Sequence, residues 1–149
     1  MRNISGITIN SKIDYKELIC QAISARENSY SPYSNFMVGA ALLTADGKVY
    51  KGCNIENAAY TPSSCAERTA FFSAVNAGHR KFIAIAVVGK AKDGKQGFAY
   101  PCGVCRQVMM EFCDPDKFIV ITAAGEEDYK VAVLKELIPD GFGPANLAK

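Results

Sequence analysis

The chain has 149 residues, six cysteines and a formal net charge of +2 from 17 basic and 15 acidic residues. This length fits one domain over residues 1–149, whose core can bury roughly 70% of the unfolded chain's surface without disulfide bonds. The nearly balanced charge, with no stripe of Lys and Arg, disfavours nucleic acid as a partner.

Two further absences in the sequence bear on location. No run approaches the roughly 20 consecutive apolar residues of a membrane span, and the N-terminal segment lacks the apolar core of a signal peptide. We therefore expect a cytoplasmic protein with no membrane partner. In that compartment cysteines stay reduced, and spaced cysteines indicate metal binding or catalysis before disulfides.

Hydrophobic periodicity predicts helices and strands along the chain. A helical stripe covers residues 14–27, with Ser11 or Asp14 as its cap. Strands at 36–44 and 48–54 form a hairpin around Asp46-Gly47. The remaining predicted elements are a helix at 65–77 ended by Gly78, a strand at 82–88, a helix at 103–112, a strand at 118–122, a short strand and a last helix at 131–137. This order predicts an α/β fold with a sheet that is parallel in its later part and helices on both faces.

Three cysteines stand at predicted helix starts, in the segments SSCAERTA and PCGVCRQ. Cys102 and Cys105 form a C-x-x-C pair whose sulfurs can reach one ion from a single helical turn, and Cys65 would be the third ligand. Two helix N-termini facing one metal stabilise thiolates, because they present unpaired N–H groups and partial positive charge. Arg68 would add a full positive charge and donors to sulfur, and Gln107 is a weaker candidate for the same support.

Glu67 stands two positions after Cys65, in the first turn of the same predicted helix. Structural zinc sites use four protein ligands, whereas catalytic sites use three and leave one position for water. A carboxylate beside that position can take a proton from the activated water and return it to a leaving group. The arrangement therefore indicates hydrolysis at a zinc site.

Plainer interpretations apply to the same residues. A lone C-x-x-C pair is often structural or redox-active, and free cysteines are often ordinary core residues. The redox interpretation leaves Cys65 and Glu67 without a role, and a structural zinc site needs a fourth ligand. The single histidine and the other cysteines are expected to bind no metal: His79 on the surface, Cys20 and Cys113 in the core, and Cys53 beside the site.

Together these motifs resemble the small homotetrameric type of zinc-dependent cytidine deaminase. The segments that carry the resemblance are 65–70 (CAERTA), 101–107 (PCGVCRQ), 33–42 (YSNFMVGAAL), 52–58 (GCNIENA) and 142–144 (FGP), and it extends from about residue 15 to 147. Zinc base deaminases use a cysteine-rich ligand set and a glutamate that is not a ligand. The resemblance implies a three-layer α/β/α sandwich with a mixed five-stranded sheet and one Zn²⁺ per subunit. It assigns Cys65, Cys102 and Cys105 to the zinc and Glu67 to proton transfer.

The resemblance also implies an activity and a set of substrate contacts. The reaction would be hydrolytic deamination of cytidine and deoxycytidine to uridine and deoxyuridine with release of ammonia, a step of pyrimidine salvage, in a homotetramer. The contacts it assigns are Asn54 and Glu56 to the ribose, Phe36 and the Ala66 N–H to the base, and Tyr60 and Phe142 near a neighbouring subunit's site.

Without the resemblance, these contacts have ordinary explanations. Asn54 and Glu56 lie one strand period apart and suit a sugar, yet Asn-Ile-Glu-Asn is also common turn chemistry. Phe36 is typical of a core, and the segment around Phe142 of a flexible tail. The polar loop at 61–64 (TPSS) departs from the more apolar family pattern, which leaves substrate preference and subunit contacts open there. Two alternatives stay open: a deaminase of another aminopyrimidine, such as a nucleoside antibiotic or a polynucleotide, and a structural zinc module.

Overall fold

The computed structural model describes residues 13–147. The helices are α1 (Tyr15–Arg26), α2 (Ala66–Asn76), α3 (Gly103–Phe112) and α4 (Leu134–Leu137), followed by a 3₁₀ turn at Pro144–Asn146. The strands are β1 (Phe36–Thr44), β2 (Val49–Cys53), β3 (Phe82–Ala91), β4 (Gln96–Gly97), β5 (Ile119–Ala123) and β6 (Tyr129–Val133). None of the helices in this part of the chain combines the length and hydropathy needed to cross a bilayer.

The strands form one mixed sheet in the order β2-β1-β3-β5-β6. Strands β3 and β5 are parallel, and the other neighbours along this path are antiparallel. The two-residue β4 pairs with the end of β3 outside this order. The predicted five-stranded mixed sheet is therefore confirmed, with β4 as an addition that two residues are too short to signal in a sequence.

Helices cover both faces of the sheet, and the alternation along β3 shows how the two cores divide. Ala84, Ala86 and Val88 pack on the α1 side, whereas Ile85 and Val87 pack on the side of α2, α3 and α4. Successive residues of a strand point to opposite faces, so a strand covered on both sides is apolar throughout. This confirms the three-layer α/β/α arrangement.

The ends of the elements agree with the predicted caps in most places. Asp14 caps α1 by accepting from the Glu17 N–H at 3.0 Å, while Ser11, the other candidate, lies outside the described residues. Gly47 (φ 89°) turns the β1–β2 hairpin, and Gly78 (φ 94°) follows the C-terminus of α2. Both occupy the left-handed region that glycine enters without a steric cost.

The predicted helix at 131–137 is wrong in its first half. Val131 and Val133 belong to β6, where they pair with Ile121 and Ile119 of β5, and only Leu134–Leu137 is helical. The run Tyr-Lys-Val-Ala-Val suits a strand because its β-branched residues pack against the neighbouring strand. Tertiary pairing with β5 therefore decides the structure of this segment.

Close packing of α2 on β2 positions the start of α2. A Cβ atom on Gly52 would lie 2.3 Å from the Ala66 carbonyl oxygen and 2.5 Å from the Ala70 nitrogen. Only glycine at this position lets the first turn of α2 approach the strand so closely. The residues at the N-terminus of α2 are therefore fixed relative to the sheet.

Candidate active site

Three thiols meet where the N-termini of α2 and α3 converge. Cys65 is the N-cap residue of α2, Cys102 is the N-cap residue of α3, and Cys105 lies in the first turn of α3. Their sulfur atoms all lie within 4.8 Å of one another. Neither N-cap residue makes a side-chain capping hydrogen bond, so both helices direct their partial positive charge toward the sulfurs.

The spacing of the thiols fits zinc. Sulfur ligands at about 2.3 Å from a tetrahedral zinc ion lie about 3.8 Å apart, and the Cys65 and Cys102 Sγ atoms are separated by 3.8 Å. Within residues 13–147 the group consists of these three thiols, with no imidazole or carboxylate in it. Three ligands leave one coordination position, as in catalytic zinc sites.

Arg68 contacts this cluster from the first turn of α2. Its Nη2 lies 3.6 Å from the Cys65 Sγ and donates to the Ser63 carbonyl at 3.2 Å. Hydrogen bonding from the Cys105 thiol, and then from Arg68, lowers the pKa of Cys65 to about 5. The same contact with Cys65, together with burial, raises the pKa of Cys105. The site therefore stabilises thiolate at Cys65.

Glu67 is buried beside the thiols, with 4% of its surface exposed. Burial raises the pKa of its carboxyl to about 7, and the neighbouring Cys65 contributes in the same direction. A carboxyl with a pKa near neutrality can both accept and donate a proton, which is the property that general acid–base catalysis requires.

A cavity of about 320 Å³ opens beside the thiols and Glu67. It is lined by Phe36, Val38, Asn54, Glu56, Ser63, Ser64, Cys65, Ala66, Glu67, Arg68, Ala99, Tyr100 and Cys102. Since Cys65 and Cys102 both lie in its wall, the metal position borders the cavity. The volume falls in the range of small-molecule sites.

A sequence model described as the "Cytidine and deoxycytidylate deaminase zinc-binding region" matches residues 12–122, most of the chain and all three thiols. The chain belongs to this deaminase family. The match to a zinc-binding region, together with the cluster of thiols, confirms the predicted Zn²⁺ cofactor.

Relatives with the cytidine deaminase name span nearly the whole chain. A cytidine deaminase from Sporosarcina psychrophila is 46% identical over 136 residues, which cover 91% of this chain and 96% of that protein. The crystal structure of cytidine deaminase from Burkholderia pseudomallei superposes with a TM-score of 0.79 at 50% identity, covering 87% of this chain and 100% of that one. The structure of cytidine deaminase from Mycobacterium tuberculosis gives a TM-score of 0.75 at 34% identity, covering 88% and 98%. These solved structures share the α/β fold described above.

Asn54 lies at the end of β2 and binds the backbone of β1 through its amide. Its Oδ1 accepts from the Val38 N–H at 2.9 Å, and its Nδ2 donates to the Phe36 carbonyl at 2.8 Å. Ser29 also donates to Oδ1. The side chain thus extends the β1–β2 pairing, a role that the sequence does not reveal.

Glu56 is held by the loop that precedes β1. Its Oε1 accepts from the Tyr33 N–H at 2.9 Å and from the Ser34 N–H at 3.1 Å. Hydrogen bonding from Ser34, more than any other cause, lowers the pKa of this carboxyl. Glu56 therefore presents a fixed, charged carboxylate to the cavity.

The structure leaves three predicted residues of the deaminase site outside the cavity. Tyr60 is 73% exposed and lines a neighbouring depression with Tyr33, while Phe142 is 58% exposed. The Gln107 side chain donates to the Phe142 carbonyl at 2.9 Å. This hydrogen bond ties the C-terminal segment to α3, and support of the thiols by Gln107 stays a prediction.

The three cysteines and the histidine that were expected to bind no metal differ in burial. Cys113 is buried as predicted, whereas Cys20 and Cys53 are only partly buried. His79 is more enclosed than the predicted surface position, because its ring packs against Tyr50 at 5.2 Å and its Nδ1 lies 3.5 Å from an Asp46 oxygen. None of these four residues belongs to the thiol group in the described part of the chain.

Several residues of the cavity wall were not predicted from the sequence. Val38 is two residues after Phe36 and faces the same side of β1, so strand periodicity could have found it. Ser63 and Ser64 directly precede Cys65 and place the divergent loop at the site. Tyr100 stands two residues before Cys102, and that adjacency is its only signal.

Proposed function

We propose that this chain is a zinc-dependent cytidine deaminase, one domain over residues 1–149, that converts cytidine and deoxycytidine to the uridine forms and releases ammonia. One observation carries the proposal: two thiols of a three-thiol cluster and a buried carboxyl line one nucleoside-sized cavity. The family membership and the relatives that bear this name support the same assignment.

Cys65, Cys102 and Cys105 would hold the zinc ion. When bound, zinc acts as a Lewis acid that makes water a competent nucleophile near neutral pH. Arg68 offsets the thiolate charge through its contact with the Cys65 sulfur. The N-termini of α2 and α3 add partial positive charge beside the cluster.

Glu67 would carry the protons of the reaction. Its carboxylate takes a proton from the attacking water and delivers it to the ring nitrogen beside carbon 4, which makes that carbon electrophilic. After attack at carbon 4, Glu67 takes the remaining proton of the added hydroxyl and passes it to the exocyclic amine. The carbon–nitrogen bond then breaks, ammonia leaves and the carbon 4 carbonyl forms. Burial of Glu67 keeps bulk water from competing for the proton.

The cavity wall supplies groups that match each part of a nucleoside. The Ala66 N–H is in the first turn of α2, has no partner within the helix, and can donate to the base carbonyl. The second N–H of the Asn54 amide and the remaining lone pairs of Glu56 can bind ribose hydroxyls. Phe36 offers its ring as the wall beside the base.

The finer features of the assignment belong to the same proposal. We propose that the enzyme is cytoplasmic, that it acts in pyrimidine salvage and that it forms a homotetramer. The exposed aromatic side chains of Tyr60 and Phe142 support the tetramer, because large exposed apolar groups often mark subunit contacts. In that assembly each would lie near a neighbouring subunit's site.

The test combines metal analysis with the absorbance assay for cytidine deamination. Glu67→Gln should keep the zinc content and thermal stability of the parent while its turnover falls about 100-fold to 10,000-fold. Glu111→Gln, on the exposed face of α3, is the matched control and should keep full activity. Wild-type turnover by Glu67→Gln would refute its role. A zinc-loaded wild type that leaves cytidine and deoxycytidine unchanged would favour the structural zinc module.

A further inference from the structure

Tyr100 forms part of the cavity wall although its ring is largely in solvent. It lines the cavity together with Ala99 and directly precedes Pro101 and the thiol residue Cys102. The side chain is 53% exposed, so packing within the core does not fix its position. Another contact must therefore hold the ring if this part of the wall is to have one shape.

Lys130, on the edge strand β6, makes that contact. Its Nζ donates to the Tyr100 hydroxyl at 2.6 Å and lies 5.2 Å from the centre of the Tyr100 ring. The same ammonium is 4.3 Å from the centre of the Phe98 ring, and the Phe98 and Tyr100 rings are nearly parallel at 6.2 Å. One cation thus binds two aromatic rings and a hydroxyl of the same short segment.

The fold places Lys130 on the correct face for this contact. Lys130 of β6 is opposite Thr122 of β5, and Thr122 points to the same face as Val120, which packs in the α2 and α3 layer. Lys130 therefore rises from the face of the sheet that carries the thiols. Thr122 lies near the carboxyl end of the parallel pair β3–β5, the edge where α/β sheets usually bind ligands.

We propose that Lys130 is a positioning residue for substrate binding, because it fixes the Tyr100 ring as one wall of the nucleoside cavity. This inference rests on the proposed function and adds a specificity-determining wall residue, Tyr100, to it. Lys130 itself lines no part of the cavity and touches no reacting atom. Of the two rings that Lys130 contacts, only that of Tyr100 lines the cavity, so the effect on substrate binding passes through Tyr100.

The experiment compares Lys130→Met with Lys135→Met. Lys135 is the matched control, since its ammonium pairs with Asp116 at 2.8 Å on the surface and contacts no cavity residue. Lys130→Met should raise the KM for cytidine about threefold to tenfold, the loss expected for one cation–π contact and one hydrogen bond. The kcat should stay within about twofold, and zinc content should not change, because Glu67 and the thiols are untouched. Lys130→Arg keeps a cation over the rings, so its KM should lie between those of the wild type and Lys130→Met.

Two further measurements test the path through Tyr100. Hydrogen exchange of the peptide covering residues 96–101 should be faster in Lys130→Met than in Lys135→Met. In a Tyr100→Leu background, Lys130→Met should cause no additional rise in KM, since the ring that Lys130 holds is gone. A rise that persists in this background would overturn the inference.

The outcomes separate this inference from the proposed function. If the wild type binds zinc but does not deaminate cytidine, the proposed function fails, and exchange in residues 96–101 alone decides whether Lys130 positions the segment. If the wild type is active and Lys130→Met equals Lys135→Met in KM, the inference is wrong, whatever the exchange rates.

Discussion

Gly89 packs directly against two residues of the cavity wall, so adding a single methyl group there should reshape the cavity. A Cβ atom there would lie 2.6 Å from the Ala99 Cβ and 2.9 and 3.0 Å from two ring atoms of Phe36. Carbon atoms in favourable contact are about 3.5–4.0 Å apart, so Gly89→Ala must push both neighbours by roughly 0.5–1 Å. Ala99 and Phe36 both line the cavity, and the new methyl therefore displaces two of its walls.

The expected cost follows from these distances. Overpacking of this kind costs about 1–3 kcal/mol, and for a domain of this size each kcal/mol lowers the melting temperature by about 2–4 °C. Gly89→Ala should therefore melt roughly 3–10 °C lower than the parent. The displaced wall should raise the KM for cytidine about tenfold, equivalent to 1.4 kcal/mol of binding. Differential scanning calorimetry and the absorbance assay measure the two effects.

The chain provides a matched control in the residue that pairs with Gly89 across the sheet. Gly97 of β4 is its partner in register, and a Cβ atom on Gly97 would meet nothing within 4 Å. Gly97→Ala should change the free energy of unfolding by no more than about 1 kcal/mol and leave the KM unchanged. Equal effects of the two substitutions, or a parental KM in Gly89→Ala, would refute the reasoning.

Two other substitutions test contacts around the cavity. Arg68→Met should weaken zinc binding about tenfold to 100-fold, measured by competition with a chromophoric chelator, while Arg80→Met on the exposed loop should not; unchanged affinity in Arg68→Met would contradict its role beside the Cys65 sulfur. Asn54→Ala should lower the free energy of unfolding in urea by about 1–3 kcal/mol, because the Val38 N–H and Phe36 carbonyl lose their partners. A parental urea midpoint would show that water replaces the amide at no cost.

The parts of the fold that the sequence predicted are those with strong local signals. The apolar run of β3 is covered on both faces, and Asp46-Gly47 turns the first hairpin, as the pattern indicates. Cys65 and Cys102 could each be predicted to stand at a helix start, because the signal for that position lies within the segment around each residue. Their common location then follows from the packing of two helices on one face of the sheet.

The features that the sequence could not reveal depend on contacts between distant segments. Residues 131–133 form a strand because β5 is beside them, although their local pattern also allows a helix. Asn54 looks like an ordinary turn residue until β1 supplies two backbone partners for its amide. The contact between Lys130 and Tyr100 joins residues 30 positions apart, and neither belongs to a motif.

The division of the metal ligands between α2 and α3 makes the ion a tether as well as a cofactor. Cys65 comes from one helix start, and Cys102 and Cys105 come from the next, so bound zinc closes the long stretch of chain between them. A ligand that binds only the folded protein stabilises it in proportion to the logarithm of its free concentration. Resistance to unfolding and to proteolysis should therefore rise with available zinc, and a zinc-starved cell would lose the enzyme to degradation as well as to inactivity.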